Sequence, residues 1–193
     1  GNTFGRFFRI TTCGESYGIG KGSGLSVIVD GVPPGLKITD EDIQKEMDKR
    51  RPGQGKLDSP RKEKDQCHIF AGIGQDGVTT GAPIGIIIYN VDTQKVHIDQ
   101  YRSYKDLIRP GHGEYTYFVK YGDYADWCGA GRASGRETVG RVAGGAVAKF
   151  ILAKEGIEVI AYTKECMGIK AKEMSFSEAK KNYRKNEVNC PDL

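Results

Sequence analysis

Residues 67–89 read CHIFAGIGQDGVTTGAPIGIIIY. Residues 67–73, 78–80 and 84–89 form a series of β-rich runs. Asp76-Gly77 lies between the first two. Asp-Gly between apolar runs is a strong hairpin signal, and hairpins pair strands antiparallel. Working towards the N-terminus, residues 25–29 predict another strand, closed by Asp30-Gly31 and Pro33-Pro34. Residues 7–12 predict one more, ahead of a turn at Gly14. Between them, Gly18, Gly20, Gly22 and Gly24 make a glycine-rich loop around Lys21. Thr39 predicts a helix cap, with Asp40, Glu41 and Asp42 at the positive end and Lys49, Arg50 and Arg51 at the other. Ile43 and Met47 supply its apolar face, and Pro52-Gly53 its stop.

Working towards the C-terminus, residues 54–65 read as a polar stretch and 101–107 as a short helix ended by Pro110-Gly111. Residues 115–135 read as an aromatic, glycine-rich loop. Residues 138–154 carry the strongest helical pattern, with Val139, Val142, Ala143, Ala146, Phe150 and Ala153 at three- and four-residue steps. Gly144 and Gly145 each cost about 1 kcal/mol there, which implies close packing of another backbone. Residues 157–162 predict a strand and 176–184 a helix. Strands outnumber helices and include hairpins, so the expected class is α+β rather than a doubly wound parallel sheet.

Composition narrows the function. The 193 residues suit a single domain spanning 1–193 with a real core. Glycine, at 27 residues, is about twice as frequent as the usual ~7%. The longest apolar stretch, near residues 81–89, falls far short of the ~20 residues of a membrane helix. The opening residues lack the basic start and apolar run of a signal peptide. The expectation is a soluble chain without a membrane partner. A net charge of +4 and no recognition motif argue against a nucleic-acid binder. Five widely spaced cysteines without CxxC fit neither a disulfide framework nor a zinc site, so reduced thiols, a cytoplasmic location and no metal are expected. The histidines His68, His97 and His112 show no metal-ligand spacing.

Four segments carry candidate chemistry. Gly14-Glu15-Ser16-Tyr17-Gly18 follows a strand, and its glycines let a ligand approach the backbone. Arg109-Pro110-Gly111-His112 puts a histidine in an exposed turn, where it can exchange a proton near neutral pH. Residues 129–138 combine Gly129, Gly131, Arg132, Ser134, Gly135 and Arg136 at the start of the long helix, a place suited to an anion. This is neither a Walker loop nor GxGxxG. Residues 48–56 hold a basic cluster that includes Arg50 and Lys56. Taken singly, each also reads as an ordinary turn, a surface histidine, a helix-capping loop or a complement to a helix dipole. Together, arginines in glycine-rich turns point to a small anion, because the guanidinium fork matches phosphate and carboxylate.

These segments also carry a resemblance. Gly1-Asn2-Thr3-Phe4-Gly5, Gly14-Glu15-Ser16, Asp30-Gly31-Val32-Pro33-Pro34-Gly35, Arg50-Arg51-Pro52-Gly53, Arg109-Pro110-Gly111-His112, Tyr115-Thr116-Tyr117, Lys120-Tyr121-Gly122 and residues 131–138 occur in the order and spacing of chorismate synthases. The chain resembles the N-terminal half of that family. The resemblance implies an α+β sandwich, helices between antiparallel sheets, and a cytoplasmic homotetramer. It implies 1,4-anti elimination of phosphate from 5-enolpyruvylshikimate 3-phosphate, dependent on reduced FMN. NADPH enters only if the enzyme reduces its own flavin. By resemblance Ser16, Arg50, Lys56, Arg109 and Arg136 serve the substrate. Arg132, Ala133, Ser134 and His112 serve FMN, and Tyr17 and His112 are the catalytic positions.

Three features depart from the family pattern. Tyr17 stands where the family has a histidine that acts as an acid; a phenol has a reference pKa near 10 against about 6.5 for imidazole. Lys56 replaces an arginine common there, with loss of a bidentate fork. Residues 19–25 are longer and richer in glycine. By resemblance, the family's other half holds further arginines, an acidic residue that helps take the substrate proton, and part of the flavin pocket. An inactive fragment or pseudoenzyme that binds flavin or substrate without turnover is the alternative reading.

Overall fold

The computed structural model describes residues 1–18, 23–51, 64–91 and 95–193. The antiparallel ladder expected around residues 67–89 is part of a five-stranded sheet. Its strands are β1 (Thr3–Gly5), β2 (Arg9–Cys13), β3 (Gly24–Asp30), β4 (Cys67–Ala71) and β5 (Ile84–Tyr89), in the order β1-β2-β3-β5-β4. Every neighbouring pair is antiparallel; Val27 faces Ile86 across β3 and β5. Alternation places Leu25, Val27, Val29, Ile84, Ile86 and Ile88 on the inner face, where all are buried. This antiparallel sheet, with its helices, makes the chain α+β.

Two helices cover that face. Helix α1 (Asp40–Asp48) contributes Ile43 and Met47, and α4 (Thr138–Lys154) contributes Val139, Ala143, Ala146 and Val147. Thr39 caps α1 as expected. Its Oγ1 accepts from Asp42 N at 3.3 Å, and its own N–H donates to Asp42 Oδ2 at 3.2 Å. Thr39→Ala is expected to cost about 1 kcal/mol in a urea titration; an unchanged midpoint would mean that water replaces the cap. Helix α1 ends at Asp48, ahead of Pro52-Gly53, which lies outside the described residues.

The glycines of α4 differ from expectation in one respect. Gly140 and Gly144 face the sheet, not Gly145. A Cβ on Gly140 would lie 2.8 Å from Thr12 Cγ2, and one on Gly144 2.7 Å from Ile10 Cγ2, whereas Gly145 is open. Side chains of β2, rather than another backbone, fill the space these two glycines leave. Ala153, expected on the buried face, is exposed because the last turn runs past the sheet.

Other elements also depart from expectation. β1 forms although nothing foretold it. Residues 78–80 make only isolated bridges, Lys37 with Val78 and Ile73 with Thr79, although the Asp76-Gly77 turn does form. The short helix lies earlier, as α2 (Lys95–Ser103). Within the expected loop, Glu114–Tyr121 forms α3, with Tyr117 and Tyr121 packed one turn apart at 5.8 Å. The loop expected over residues 115–135 rests on composition and leaves out the i, i+4 spacing of these aromatic residues. Residues 157–162 form no ladder with the described residues, and Ile157 and Val159 are about half exposed. Strand propensity without a partner strand does not make a strand. A small ribbon, β6 (Glu165–Cys166) and β7 (Ile169–Lys170), precedes α5 (Phe176–Asn182). All five cysteines are free. No helix among the described residues is long and apolar enough to cross a membrane.

Candidate active site

Three of the four segments named from the sequence converge where β2 ends and α4 begins. Arg132 sits in a tight winding, Cys128–Ala133, in which Gly129, Ala130 and Gly131 all have positive φ, 62°, 66° and 47°. Only glycine adopts that region freely; Ala130 holds it under strain, buried at 4% exposure. The winding turns Gly131 O towards Ser16 N, at 3.4 Å, and so joins the Gly14–Tyr17 turn to the loop before α4.

Arg136 and Arg50 meet on Asp65. Arg136 Nη2 lies 2.8 Å from Asp65 Oδ1, and Arg50 Nη1 lies 2.6 Å from Oδ2. Asp65 and Arg136 are buried, and Arg50 is partly so. Arg136 Nη1 donates to Ser16 O at 3.0 Å and also to Asn90 Oδ1. Arg50 Nε donates to Thr138 Oγ1 at 3.0 Å. The hydroxyl of Ser16, buried in this network, makes no hydrogen bond to the described residues.

Arg132 points inward. Its Nη1 donates to Gly14 O at 2.8 Å, and its Nη2 reaches Thr12 Oγ1 at 3.0 Å and Asn2 Oδ1 at 2.9 Å. Glu137 Oε2 lies 2.6 Å from Arg132 Nη1, yet neither carboxylate oxygen has an aligned hydrogen bond to the described residues. Burial pushes the Glu137 carboxyl up to about 7, against the opposing pull of Arg132 and Arg141. Around these buried groups stand Arg50, Arg132, Arg136 and Arg141 against Asp65, Glu137 and Glu15. A proton on Glu137 would shift the balance of these described groups towards positive charge.

Tyr17 is buried at 2% exposure, with its Oη 2.8 Å from His97 Nδ1. Tyr101 packs edge-on against it at 5.5 Å, and Arg109 lies 5.5 Å over the Tyr101 ring. Arg109 itself is held by Glu114, through Nε to Oε1 at 2.7 Å and its backbone N–H to Oε2 at 2.9 Å. His112 is exposed, with Nδ1 3.5 Å from Pro110 O. A Cβ on the next residue, Gly113, would lie 3.2 Å from Ala133 Cβ, so the histidine turn abuts the Ala133-Ser134 stretch.

A family model described as chorismate synthase matches residues 8–193. The chain belongs to the chorismate synthase family. The chorismate synthase of Acetivibrio thermocellus is 57% identical over 204 aligned positions, covering 100% of this chain and 52% of that protein. That of Methanococcoides burtonii is 50% identical over 193, covering 100% of this chain and 50% of its own length. This chain thus spans about half the length of the curated relatives it matches. A crystal structure of a chorismate synthase superposes with a TM-score of 0.57 at 31% identity, over 78% of this chain and 35% of that one.

Within this chorismate synthase fold, Ser16, Arg50, Arg132 and Arg136 lie in one connected network. Arg109 and Tyr17 join through Tyr101, and Ala133 joins through the His112 turn. Ser134 caps the turn before α4, its Oγ accepting from Arg136 N at 3.2 Å. Lys56 lies outside the described residues, as do residues 19–22 of the glycine-rich loop. Sequence reasoning missed Asp65, Asn90, Glu137 and His97. Asp65 closes the polar stretch, and nothing in its neighbours marks it. Glu137 was in view between Arg136 and Thr138, but its burial was not.

Proposed function

We propose that this chain forms the anion-binding side of a chorismate synthase site. The reaction would be 1,4-anti elimination of phosphate from 5-enolpyruvylshikimate 3-phosphate to give chorismate, in aromatic amino acid biosynthesis. One observation carries this reading: Arg50 and Arg136 converge on Asp65 beside Ser16, whose buried hydroxyl makes no hydrogen bond to the described residues. A substrate with two carboxylates and a phosphate needs such counter-charges. Ser16 would donate to it. Arg50, partly open to solvent, would bind it, and Arg136 and Asp65 would hold Arg50 in place. Arg109, with Lys56, would complete that side.

Reduced FMN fits the exposed face beside this network, where the His112 imidazole adjoins Ala133 and Ser134. When bound, it supplies electron density to a reaction without net redox change. His112 would hold or pass a proton at its open ring nitrogen. Arg132, committed to Gly14, Thr12 and Asn2, would position the loop from behind. NADPH has a role only if the protein reduces its own flavin. A cytoplasmic homotetramer accompanies this reading.

An anaerobic titration with reduced FMN and 5-enolpyruvylshikimate 3-phosphate, followed by the flavin spectrum, tests it. A saturable, substrate-dependent shift is expected. Arg50→Ala should weaken substrate binding about 10–100-fold, as loss of a charged hydrogen bond does. Equal affinity in the variant would remove Arg50 from the site, and no shift in the native chain would refute the reading. The buried phenol at Tyr17 favours a second reading, in which ligand binds without turnover; a spectral shift with no chorismate formed would select it.

A further inference from the structure

The most unusual polar contact outside the arginine network is that of Tyr17. A buried phenol is ordinarily satisfied by a backbone carbonyl or a core amide. Here its Oη meets His97 Nδ1 at 2.8 Å. His97 sits on α2 and is half-buried, so the pair links a buried phenol to a more open imidazole. Both rings are fixed. They meet at 75° with centroids 6.5 Å apart, Tyr101 closes one side of Tyr17, and Gly129 closes another, where a Cβ would stand 3.0 Å from the ring. Ser16, directly before Tyr17, is pinned by Gly131 and Arg136.

We propose that His97 and Tyr17 are a proton relay, with the imidazole as the acid and Tyr17 Oη as its conduit to an oxygen of the bound anion. The relay rests on the function proposed above. Alone, a phenol with a pKa near 10 does not release its proton at neutral pH, whereas imidazole titrates between pH 5 and 8. At rest, neutral His97 accepts at Nδ1 from Tyr17 Oη–H. When an anion binds, His97 takes a proton from solvent and becomes the donor at Nδ1. The Oη–H bond then breaks and its proton passes to the anion's oxygen. The Nδ1–H bond breaks in turn, and Oη–H forms again. Neutral imidazole is left and regains its proton from water. Two successive hops deliver a net one proton to the anion, and no electron moves. Among the described residues, the charged and titratable groups on the elements around the pair include Lys95, Asp99, Tyr101 and Arg102 on α2, Glu15 in the Tyr17 turn, Arg109 with Glu114, and Asp126 and Cys128 by the glycine winding.

The test is the ring nitrogen spectrum of the whole chain, with its three histidines and the His97 signal assigned by His97→Asn. Without ligand, His97 should hold its proton on Nε2, and Tyr17→Phe should return it to a mixture of tautomers. Adding 5-enolpyruvylshikimate 3-phosphate should raise the His97 midpoint by about one pH unit in the native chain, and Tyr17→Phe should abolish most of that rise. Saturable binding with the same His97 titration in both proteins overturns the relay and leaves the proposed function standing. No binding by the native chain overturns both. If Tyr17→Phe does not fold, His97→Asn decides: it should erase the gain in ligand affinity between pH 8 and pH 6, and a gain that persists overturns the relay.

Discussion

Replacing Asp65 by Asn is expected to destabilise the protein by about 3–5 kcal/mol, the cost of breaking a buried ion pair from one side. Asp65 joins Arg136 and Arg50 where water is excluded, with its own side chain 1% exposed and that of Arg136 5%. Removing the anion leaves a buried guanidinium facing a neutral amide. Asparagine suits this test because it keeps the shape and tolerates the backbone at residue 65, where φ is 44°. The loss is therefore charge rather than geometry. In a chain of this length it should appear as a melting temperature lower by about 6–20 °C. Adding Arg136→Gln to the variant should recover part of the loss, because the cation that Asp65 balances goes as well. A single variant within 1 kcal/mol of native would mean that the arginines find other acceptors.

Glu137 should give the second large effect, read against pH. Burial raises its carboxyl from 4.5 to about 7. The folded chain thus holds this proton more tightly than the unfolded chain. Stability from this group is full below about pH 4.5, falls as pH rises, and levels off above about pH 7. A shift of this size amounts to about 3 kcal/mol across that window. Glu137→Gln is neutral throughout and lacks the fall. The difference between native and variant, from urea midpoints at pH 4 to 8, should therefore change by about 3 kcal/mol in favour of the variant. Asp30 and Asp42, held low by hydrogen bonds to Arg9 and Lys45, lose stability only under more acidic conditions and do so equally in both proteins. Parallel curves would show that Glu137 stays ionised in the fold.

Much of this architecture was legible because it is local. The Thr39 cap, the alternation in residues 25–29 and 84–89 and the spacing in residues 138–154 each state their conformation over a few neighbours. The arginine-bearing motifs were legible for the same reason, since glycine marks where a backbone must bend. Illegible features depend on partners distant in sequence. Residues 157–162 have strand propensity and no described strand to pair with. Asp65 becomes a hub only when Arg50 and Arg136 arrive from 15 and 71 positions away. His97 gained meaning only when α2 carried it to Tyr17. The α3 segment differs: the helical signal of its tyrosines lies in their four-residue step, not in their type.

Gly140 and Gly144 set a shared datum for two halves of the site. Because they leave no side chain between α4 and β2, the helix rests directly on Thr12 and Ile10. The strand continues into Gly14, Ser16 and Tyr17, and the helix begins right after Arg132, Arg136 and Glu137. In an engineer's terms, the distance between these two groups is one dimension, and its tolerance is that of a single methyl contact. A thicker spacer would tilt the helix off its seat and open the gap between Ser16 and the arginines, even in a chain that stayed folded. The core beneath the site thus works as its gauge block, and alignment is as much a constraint on those two glycines as stability.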